Sequence, residues 1–395
     1  MAEKYLHAAA RLEKMYFSPI RAVMEKVTAI KEEGYPVVGF TAGEPDFDTP
    51  KAIKDATTRA LENNQTHYAP NRGVLSCRKS IVSMIERITG VSYDPNTEVI
   101  VTASGAEAIN NAFLAVVDPG DEVIVFSPSF MNYENLISMC GGIMVDIPLK
   151  SENGFQIDAD ELEKNLTPKT RMVVINNPCN PTGAVYRPET LERIAKLAVE
   201  HDLLVFSDEI YNQILYGAEC RSIASFPGMK ERTIMMNGFS KAYAMTGWRV
   251  GILAADARIL SNILKVHQYT TTCVNTFVQV GLAEAMNAPE TLRDIDTMVH
   301  RFDERRKILM AGLDQIGKLK YSEPTGAFYI FVDVSATGMD GDEFADRILK
   351  EKYVACIPGS KLGKECKNFI RMSYATSEEN IREGLKRIDE FVNRK

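Results

Sequence analysis

Residues 237–251 read NGFSKAYAMTGWRVG and follow a short apolar run, Thr233–Met236. Lys241 comes just after this predicted strand, and Arg249 follows beside a glycine. A lysine at the end of a buried strand loses hydration, which lowers its pKa and makes its amine a nucleophile toward carbonyl compounds. Taken alone, such a lysine is more often a solvated loop residue, so its interpretation depends on the segments around it.

Similar apolar runs recur before this segment and predict the other strands of one sheet. The predicted strands are Glu98–Thr102, Glu122–Ser127, Met172–Asn176, Leu203–Ser207 and Thr233–Met236. None alternates strictly between apolar and polar residues, which is typical of strands buried on both faces. Helix-length segments lie between them, at Ala106–Val116, Tyr133–Cys140 and Pro188–His201. The alternation predicts an α/β fold, with a mostly parallel sheet between helices.

The end of the chain has a different pattern. It predicts a strand at Gly326–Val334 and helices at Leu292–Ile316, Phe344–Glu351 and Glu378–Val392. Fewer alternations indicate a smaller α+β unit. We therefore predict a large domain, 48–289, and a small domain formed by 1–47 and 290–395.

Composition restricts the class of protein. The net charge is -7 and the sequence pI is about 5.5, which argues against nucleic acid as the main partner. No apolar run approaches the ~20 residues that cross a bilayer, and the charged N-terminus is unlike a signal peptide. Seven cysteines without a C-x-x-C pair indicate free thiols, and five histidines lack the spacing of a metal site. We expect a cytoplasmic protein without a membrane partner or a bound metal.

Three further segments with chemical character follow predicted strands. Asp208, in SDEIY, is an acid at a strand end, where open α/β sheets build ligand sites, but it would serve equally well as a helix N-cap. The segment Asn176–Gly183, NNPCNPTG, contains two Asn-Pro steps and is otherwise an ordinary turn. The segment Thr102–Ala106, TASGA, enters a helix and could present N–H groups to an anion, although the signal alone is weak.

Together with Lys241, these segments supply an amine nucleophile, an acid, hydrogen-bond donors and a phosphate cradle. All four lie at strand ends of the same predicted sheet. A pyridoxal-phosphate site requires these parts, because the cofactor has an aldehyde, a pyridine nitrogen and a phosphate.

The chain resembles the class I aminotransferases, which are fold-type-I pyridoxal-phosphate enzymes, and it is most similar to their aspartate/aromatic subgroup. The resemblance covers nearly the whole chain, through FTAGEPDFDTP (Phe40–Pro50), HYAPNRG, VDPGDEVIVFSPSF, NNPCNPTGAVY, SDEIY, GFSKAYAMTGWRVG, PTGAFYIF and RMSYATSEEN (Arg371–Asn380). It implies an aspartate-aminotransferase-like fold with pyridoxal phosphate bound by residues 48–289. It also implies ping-pong transfer of an amino group from an L-amino acid (aspartate, aromatic or related) to a 2-oxo acid, with 2-oxoglutarate expected.

The resemblance implies a role for each catalytic residue. Lys241 would carry the cofactor as a Schiff base and then move a proton. Asp208 would pair with the ring nitrogen, while Tyr211 and Asn180 would hydrogen-bond the oxygen on the ring. Phe130 would stack on the ring, where many members of the family have an aromatic residue.

The resemblance also assigns the phosphate site. Ser104, Gly105 and Ala106, together with Arg249, would hold the phosphate. Tyr68 would reach that phosphate from a neighbouring subunit, which implies a homodimer with shared active sites.

The resemblance also implies which residues bind the substrate. Arg371 would bind the α-carboxylate, with the Gly43 backbone beside it, and Asn180 would also contact the substrate. The resemblance further implies cis peptides at Ser127–Pro128 and Asn180–Pro181.

One departure from the family leaves the amino donor open. Relatives that prefer acidic side chains carry a lysine where Ala106 stands, or an arginine of the partner subunit near the position of Gln268. Neither cation is present here. Arg21, in SPIR, could replace them, although a helix arginine on the surface is the plainer interpretation. Acidic, aromatic and other apolar donors therefore remain open.

Two other functions share much of this pattern. The same scaffold supports elimination by a carbon–sulfur lyase or an aminocyclopropane-carboxylate-synthase-like enzyme, and most site residues would be shared. A non-enzymatic ligand-sensing protein of this fold would need a DNA-binding domain, and the segment before residue 40 is short and not basic. The sequences of the motifs GEPDFDTP and AMTGWRVG favour the aminotransferase.

Overall fold

The computed structural model describes residues 9–13 and 15–394, so what was predicted for residues 1–8, 14 and 395 lies outside it. Its helices are α1 (Pro19–Glu32), α2 (Lys51–Glu62), α3 (Leu75–Thr89), α4 (Gly105–Val116), α5 (Asn132–Met139), α6 (Ala159–Lys164), α7 (Pro188–Glu200), α8 (Ala257–Thr270), α9 (Thr276–Ala285), α10 (Pro289–Ile316), α11 (Gly341–Lys352) and α12 (Glu378–Val392). Its strands are β1 (Val38–Gly39), β2 (Val99–Thr102), β3 (Glu122–Ser127), β4 (Ile143–Pro148), β5 (Thr170–Asn176), β6 (Leu204–Asp208), β7 (Thr233–Gly238), β8 (Gly251–Ala254), β9 (Lys320–Tyr321), β10 (Tyr329–Asp333), β11 (Val354–Ala355), β12 (Ile357–Pro358) and β13 (Phe369–Ser373).

The large sheet has seven strands in the order β2-β8-β7-β6-β5-β3-β4. Its neighbouring strands are parallel, except that β8 runs antiparallel to both β2 and β7. The prediction of a mostly parallel sheet is confirmed, and the five strands predicted for this sheet lie within two residues of their expected bounds. Strands β4 and β8 were not predicted.

The strands of this sheet are apolar throughout because helices cover both of its faces. In β5, Met172 and Val174 belong to the core beneath α4, whereas Val173 and Ile175 belong to the core beneath α7. Alternate side chains of a strand point to opposite faces, so a strand buried on both sides needs apolar residues at every position. The helices at 106–116 and 188–201 were predicted from the same pattern and are confirmed to within one residue.

Two smaller sheets are built mainly from the end of the chain. The strands β12, β13, β10 and β9 form an antiparallel sheet in that order, and β1 pairs with β11 in parallel. The predicted C-terminal helices and the strand near 326–334 are present, and α12 has the bounds expected for it. The division into domains 48–289 and 1–47 plus 290–395 stays a prediction.

Three peptide bonds before proline are cis. They are Ser127–Pro128, Asn177–Pro178 and Asn180–Pro181. The first and third confirm the expectation drawn from the resemblance, and the second was not expected.

Some features are absent from the part of the chain that the structure describes. Within it, no helix combines the length and the apolar character that crossing a membrane requires. The same residues contain no group of three or more His, Cys, Asp or Glu side chains suited to a metal ion. The seven cysteines are all unpaired.

Candidate active site

The parallel strands β2, β3, β5, β6 and β7 all end at the same edge of the large sheet, and a cavity of about 980 Å³ lies there. Open α/β sheets commonly bind ligands at this edge, because the loops after the strands converge there. Every predicted site residue except Tyr68 lines the cavity: Gly43, Ser104, Gly105, Ala106, Phe130, Asn180, Asp208, Tyr211, Lys241, Arg249 and Arg371.

Lys241 lies in the turn that follows β7, three residues after the strand ends. Its Nζ donates a hydrogen bond to the carbonyl oxygen of Gly43 and lies 5.9 Å from the ring centre of Tyr211. Burial lowers the pKa of Lys241 to about 8, even though the nearby Glu44 carboxylate raises it. Roughly a tenth of the amine is therefore neutral at pH 7, far more than in a solvated lysine.

Asp208 is the last residue of β6 and is 3% exposed. Its carboxylate accepts hydrogen bonds from Tyr133 Oη at 2.5 Å and from the backbone N–H of Ile210 at 3.2 Å. Burial raises the pKa of Asp208 to about 6, against the lowering effect of these bonds and of Lys241. The chain after Asp208 forms a turn, so the N-cap interpretation is wrong.

Arg371 is a buried cation on β13, with 1% of its surface exposed. Its Nη1 donates to Asn180 Oδ1 at 3.0 Å, and its Nη2 donates to the carbonyl oxygen of Thr41 at 3.1 Å. Its guanidinium lies 4.5 Å from the ring centre of Tyr329. The Nε atom has no hydrogen-bond partner among the described residues. A buried cation with neutral partners and an unused donor is costly unless a ligand supplies an anion.

Two tyrosines meet beside Arg371. The hydroxyl groups of Tyr211 and Tyr329 are 3.0 Å apart, and the two rings pack edge to face. Burial raises the pKa of both hydroxyl groups, so both keep their protons at neutral pH. Since one proton is enough for the bond between them, the other hydroxyl can donate to a ligand.

The loop between β2 and α4 has the shape of an anion site. Ser104 has a positive φ of 88°, and α4 begins directly after it at Gly105. The first N–H groups of a helix have no partner within the helix, and the helix dipole favours an anion there. A Cβ at Gly105 would lie 3.1 Å from Met236 Sδ, so the glycine lets the loop pack closely on β7.

The side chain of Glu107 fixes this loop through hydrogen bonds. It accepts hydrogen bonds from the Ala103 N–H, from Thr271 Oγ1 and from Asn111 Nδ2, and it pairs with His267. Burial alone would raise the pKa of Glu107, but His267 and the Ala103 N–H lower it below its usual value. The carboxylate is therefore ionised and fixed. Sequence reasoning did not identify it.

Arg249 reaches the same loop because β8 runs antiparallel and begins at this edge of the sheet. The backbone of Arg249 has a positive φ of 56°, and its exposed guanidinium donates to the carbonyl oxygen of Thr246 at 3.0 Å. The glycine two residues later packs directly on Ser104, since a Cβ at Gly251 would lie 2.5 Å from the Ser104 carbonyl carbon.

Tyr68 and Phe130 differ in their placement. Phe130 lines the cavity, and its ring packs edge to face on Tyr133 at 5.9 Å between ring centres. Tyr68 is 89% exposed and lies outside the cavity of its own chain. Tyr133 and Tyr329, which contact Asp208 and Arg371, were missed as site residues, although Tyr329 lies in the quoted motif PTGAFYIF.

A half-buried lysine, a buried acid and a buried arginine in one cavity at this edge of the sheet define the class: an enzyme that handles carbonyl and carboxylate groups together. Residues 35–388 match the family described as aminotransferase class I and II, and the chain belongs to this family. It is an aminotransferase.

The chain is similar to several curated and solved aminotransferases. It is 39% identical to the aspartate aminotransferase of Pyrococcus abyssi and 39% identical to the aromatic-amino-acid aminotransferase 2 of Thermococcus litoralis, each time over 98% of both chains. Its fold matches the aspartate aminotransferase of Thermus thermophilus with maleate at a TM-score of 0.93, 38% identity and coverage of 97% and 99% of the two chains. None of these findings favours the lyase or ligand-sensing alternatives.

Proposed function

We propose that this aminotransferase depends on pyridoxal phosphate and moves the amino group of an L-amino acid, aspartate, aromatic or related, to a 2-oxo acid such as 2-oxoglutarate. The observation that carries the proposal is the buried Arg371 with its unused Nε donor, in the same cavity as Lys241 and Asp208. An amino acid and a 2-oxo acid share an α-carboxylate, which a planar guanidinium binds through two parallel N–H···O bonds. The names of the relatives support the two classes of donor.

The residues of the cavity fit the cofactor group by group. The N-terminus of α4 and Arg249 would hold the phosphate, with Ser104, Gly105 and Ala106 providing the loop. Asp208 would lie beside the ring nitrogen, Phe130 would stack on the ring, and Lys241 would bond to the aldehyde carbon. When bound, the cofactor supplies an electron sink for the negative charge that develops on the substrate Cα.

Lys241 performs the proton transfer in this proposal. With substrate and cofactor bound, Lys241 Nζ would remove the proton from the substrate Cα as a base and would then act as an acid. Only the neutral amine accepts a proton, and the lowered pKa of Lys241 provides it near neutral pH. The hydrogen bond to the Gly43 carbonyl keeps Nζ at the side of the cavity where Thr41 and Arg371 meet.

Asp208, Tyr211 and Asn180 set the charge on the ring. Asp208 would stabilise a proton on the ring nitrogen, because a buried carboxylate without full compensation attracts a cation. Tyr211 can donate its hydroxyl proton, and Asn180 its side-chain N–H, to the oxygen on the ring. Asn180 already accepts from Arg371, so it links the ring to the carboxylate site.

A panel of L-amino acids with 2-oxoglutarate as acceptor tests this proposal. We expect glutamate to form with at least one acidic or aromatic donor, and we expect purified protein to carry a visible absorption band that borohydride removes. Release of pyruvate without any keto-acid acceptor would instead indicate a lyase.

Replacing Arg371 by lysine is expected to lower kcat/KM by about 10–100-fold for every amino acid. A hydrogen bond to a charged group contributes roughly 1.5–3 kcal/mol, and lysine cannot form the paired bonds of a guanidinium. Steady-state kinetics with acidic and apolar donors measure the effect. If only dicarboxylic donors lost activity, Arg371 would bind the side-chain carboxylate and the site would be reversed.

We also propose a C2 homodimer in which Tyr68 of each chain approaches the phosphate bound by the other. Its ring is 89% exposed and lies outside the cavity of its own chain, so it is accessible to a second chain. The unpaired cysteines are consistent with the reducing cytoplasm, where we place the enzyme.

Sedimentation at micromolar concentration should therefore show a dimer, and Tyr68→Phe should weaken retention of the cofactor without dissociating the subunits. The loss of a single hydroxyl donor to a phosphate accounts for the first effect, and the retained ring accounts for the second. A monomer with full activity would contradict the shared site.

A further inference from the structure

A second buried acid, Glu209, directly follows Asp208 and has no part in the proposed mechanism. Its side chain is 2% exposed, and its hydrogen-bond partners are three neutral groups. Ser207 Oγ and Ser222 Oγ donate to its Oε1 at 3.0 and 2.6 Å, and Asn212 Nδ2 donates to its Oε2 at 3.2 Å. Burial raises the pKa of Glu209, although the three donors lower it. A buried carboxyl without a cation is costly, so we looked for what this group does.

The carboxyl of Glu209 begins a chain of hydrogen bonds that ends three residues before Lys241. Asn212 donates to Glu209, and its Oδ1 accepts from Asn237 Nδ2 at 3.2 Å. Asn237 in turn accepts from the backbone N–H of Gly238 at 2.7 Å. The side chains of Glu209, Asn212 and Asn237 are all buried, and we call them the amide relay. The relay therefore ends at Gly238, the last residue of β7.

The carboxyl end fixes the direction of these bonds. An oxygen that faces the NH2 group of an amide can only accept, because the amide nitrogen only donates. The amide of Asn212 must therefore point its nitrogen at Glu209 and its oxygen at Asn237. Asn212 orients the amide of Asn237 in the same way, so that its oxygen faces the N–H of Gly238. A glutamine at position 209 would not impose this order, because its side chain carries both a donor and an acceptor.

The relay joins two segments that carry proposed catalytic groups. Asp208 and Tyr211 lie on the acid turn, which we define as the segment from Asp208 to Asn212. The end of β7 also packs on this turn, since a Cβ at Gly238 would lie 3.2 Å from Ile210 Cδ1. The three side chains of the relay do not line the cavity. They can therefore affect the reaction only through the position of groups that do.

We propose that Glu209 is a positioning residue which, through Asn212 and Asn237, holds the turn after β7 at a fixed distance from the acid turn; this rests on the proposed function of the same site. Lys241 would have to reach one carbon of a ring whose nitrogen lies beside Asp208. The relative placement of the two turns decides whether both groups meet their atoms together.

The test breaks one bond of the relay and then restores it. In Asn212→Asp the introduced carboxyl cannot donate to Glu209, so two buried acids face each other. We expect kcat to fall about 10–100-fold, the cost of a small misplacement caused from outside the site. The KM should change little, because Arg371 lies on β13, outside the relay.

Adding Glu209→Gln to Asn212→Asp should recover most of the lost rate. The introduced amide can donate to the introduced carboxyl, which still accepts from Asn237, and its oxygen still accepts from the two serines. Recovery by a second substitution is the signature of a coupled pair.

Reconstitution provides a readout that does not depend on turnover. Pyridoxal phosphate is added to the cofactor-free proteins, and the appearance of the visible band is followed by stopped-flow absorption. The band should form more slowly in Asn212→Asp, because the amine of Lys241 is displaced from the aldehyde, and faster again once Glu209→Gln is added. If Asn212→Asp does not fold, Asn212→Ala breaks the relay without a second acid and should also form the band slowly.

Ser222→Ala is the matched control, because it removes another donor to the same carboxyl but lies outside the relay. Denaturant unfolding should show a loss of stability in this variant, whereas kcat and the rate of band formation should keep their wild-type values. If its activity fell together with its stability, the role of Glu209 would be structural only.

The remaining outcomes separate this inference from the function beneath it. A double variant no faster than Asn212→Asp, or wild-type rates in Asn212→Ala, would overturn the role of the relay while transamination by the wild type stood. A wild-type protein that forms no visible band and transaminates no amino acid would overturn the proposed function itself.

Discussion

Lys241→Ala is expected to lower the rate of transamination by at least about 10²–10⁴-fold, the usual contribution of a positioned general base, with a further loss because the cofactor has no covalent attachment. The reason lies in the environment of the amine. Burial lowers the pKa of Lys241 to about 8, and the Gly43 carbonyl fixes the position of Nζ. No other lysine lines the cavity in the described part of the chain.

Single-turnover kinetics measure this loss without interference from product release. Borohydride reduction of the wild type followed by peptide mass spectrometry should place the mass of the cofactor on the peptide that contains Lys241. The visible absorption band should be lost in the variant even when phosphate binding persists. A variant with normal turnover, or a label on another lysine, would remove Lys241 from the mechanism.

Asp208→Asn is expected to cost roughly 10²–10³ in kcat, the size of effect seen when a preorganised charge is removed from an active site. The carboxylate is 3% exposed and its charge can stabilise a ring proton, whereas an amide cannot. Tyr133→Phe is the matched control, because it removes the hydroxyl that donates to the carboxylate but keeps the charge. It should lose much less activity than Asp208→Asn.

Asp208→Asn should also make the cofactor-free protein more stable than the wild type. The pKa of Asp208 is raised to about 6 in the folded protein, so the folded state holds this proton more tightly than the unfolded state. The stability that the protonated Asp208 carboxyl contributes is complete below about pH 4 and is lost as the pH rises through about 6. Above pH 7 the ionised carboxylate opposes folding, and removing it should raise the free energy of unfolding by about 1–3 kcal/mol.

Denaturant unfolding of the cofactor-free proteins at pH 5 and pH 8 measures this effect. The difference between wild type and Asp208→Asn should be larger at pH 8. Bound cofactor should reduce or reverse it, because a protonated ring nitrogen would compensate the carboxylate. If the variant were less stable than the wild type at pH 8 without cofactor, the carboxylate would have a structural rather than an electrostatic role.

The large sheet could be predicted because its central strands are buried on both faces. Runs such as Met172–Asn176 are apolar at every position, and turn residues bound them. The strand β4 escaped prediction because it lies at the edge of the sheet: Ile143 is exposed and Asp146 interrupts the apolar run. The strand β8 has only four residues and begins at Gly251, the last residue of the lysine segment. Its antiparallel direction depends on which strands it pairs with.

The site was predictable where a residue type carries the chemistry by itself. Lysine and aspartate at predicted strand ends indicated Lys241 and Asp208, whereas Arg371 came from the family resemblance; all three line one cavity. Tyr133 and Tyr329 could not be found in this way, because the sequence alone does not distinguish such a tyrosine in a helix or strand from an ordinary core residue. Their contacts depend on how α5 packs on β6 and how β10 lies beside β13.

The close approach of Gly251 to Ser104 has a consequence for the evolution of specificity. Any side chain at 251 would push the β2–α4 loop away from the large sheet, so the two positions are expected to vary together or not at all. Variation at Arg21 and Glu25, which line the cavity, is free of this restriction, because both are exposed on a helix outside the sheet. A mutant library for altered donors should therefore be placed on α1, where many substitutions leave the folded scaffold intact.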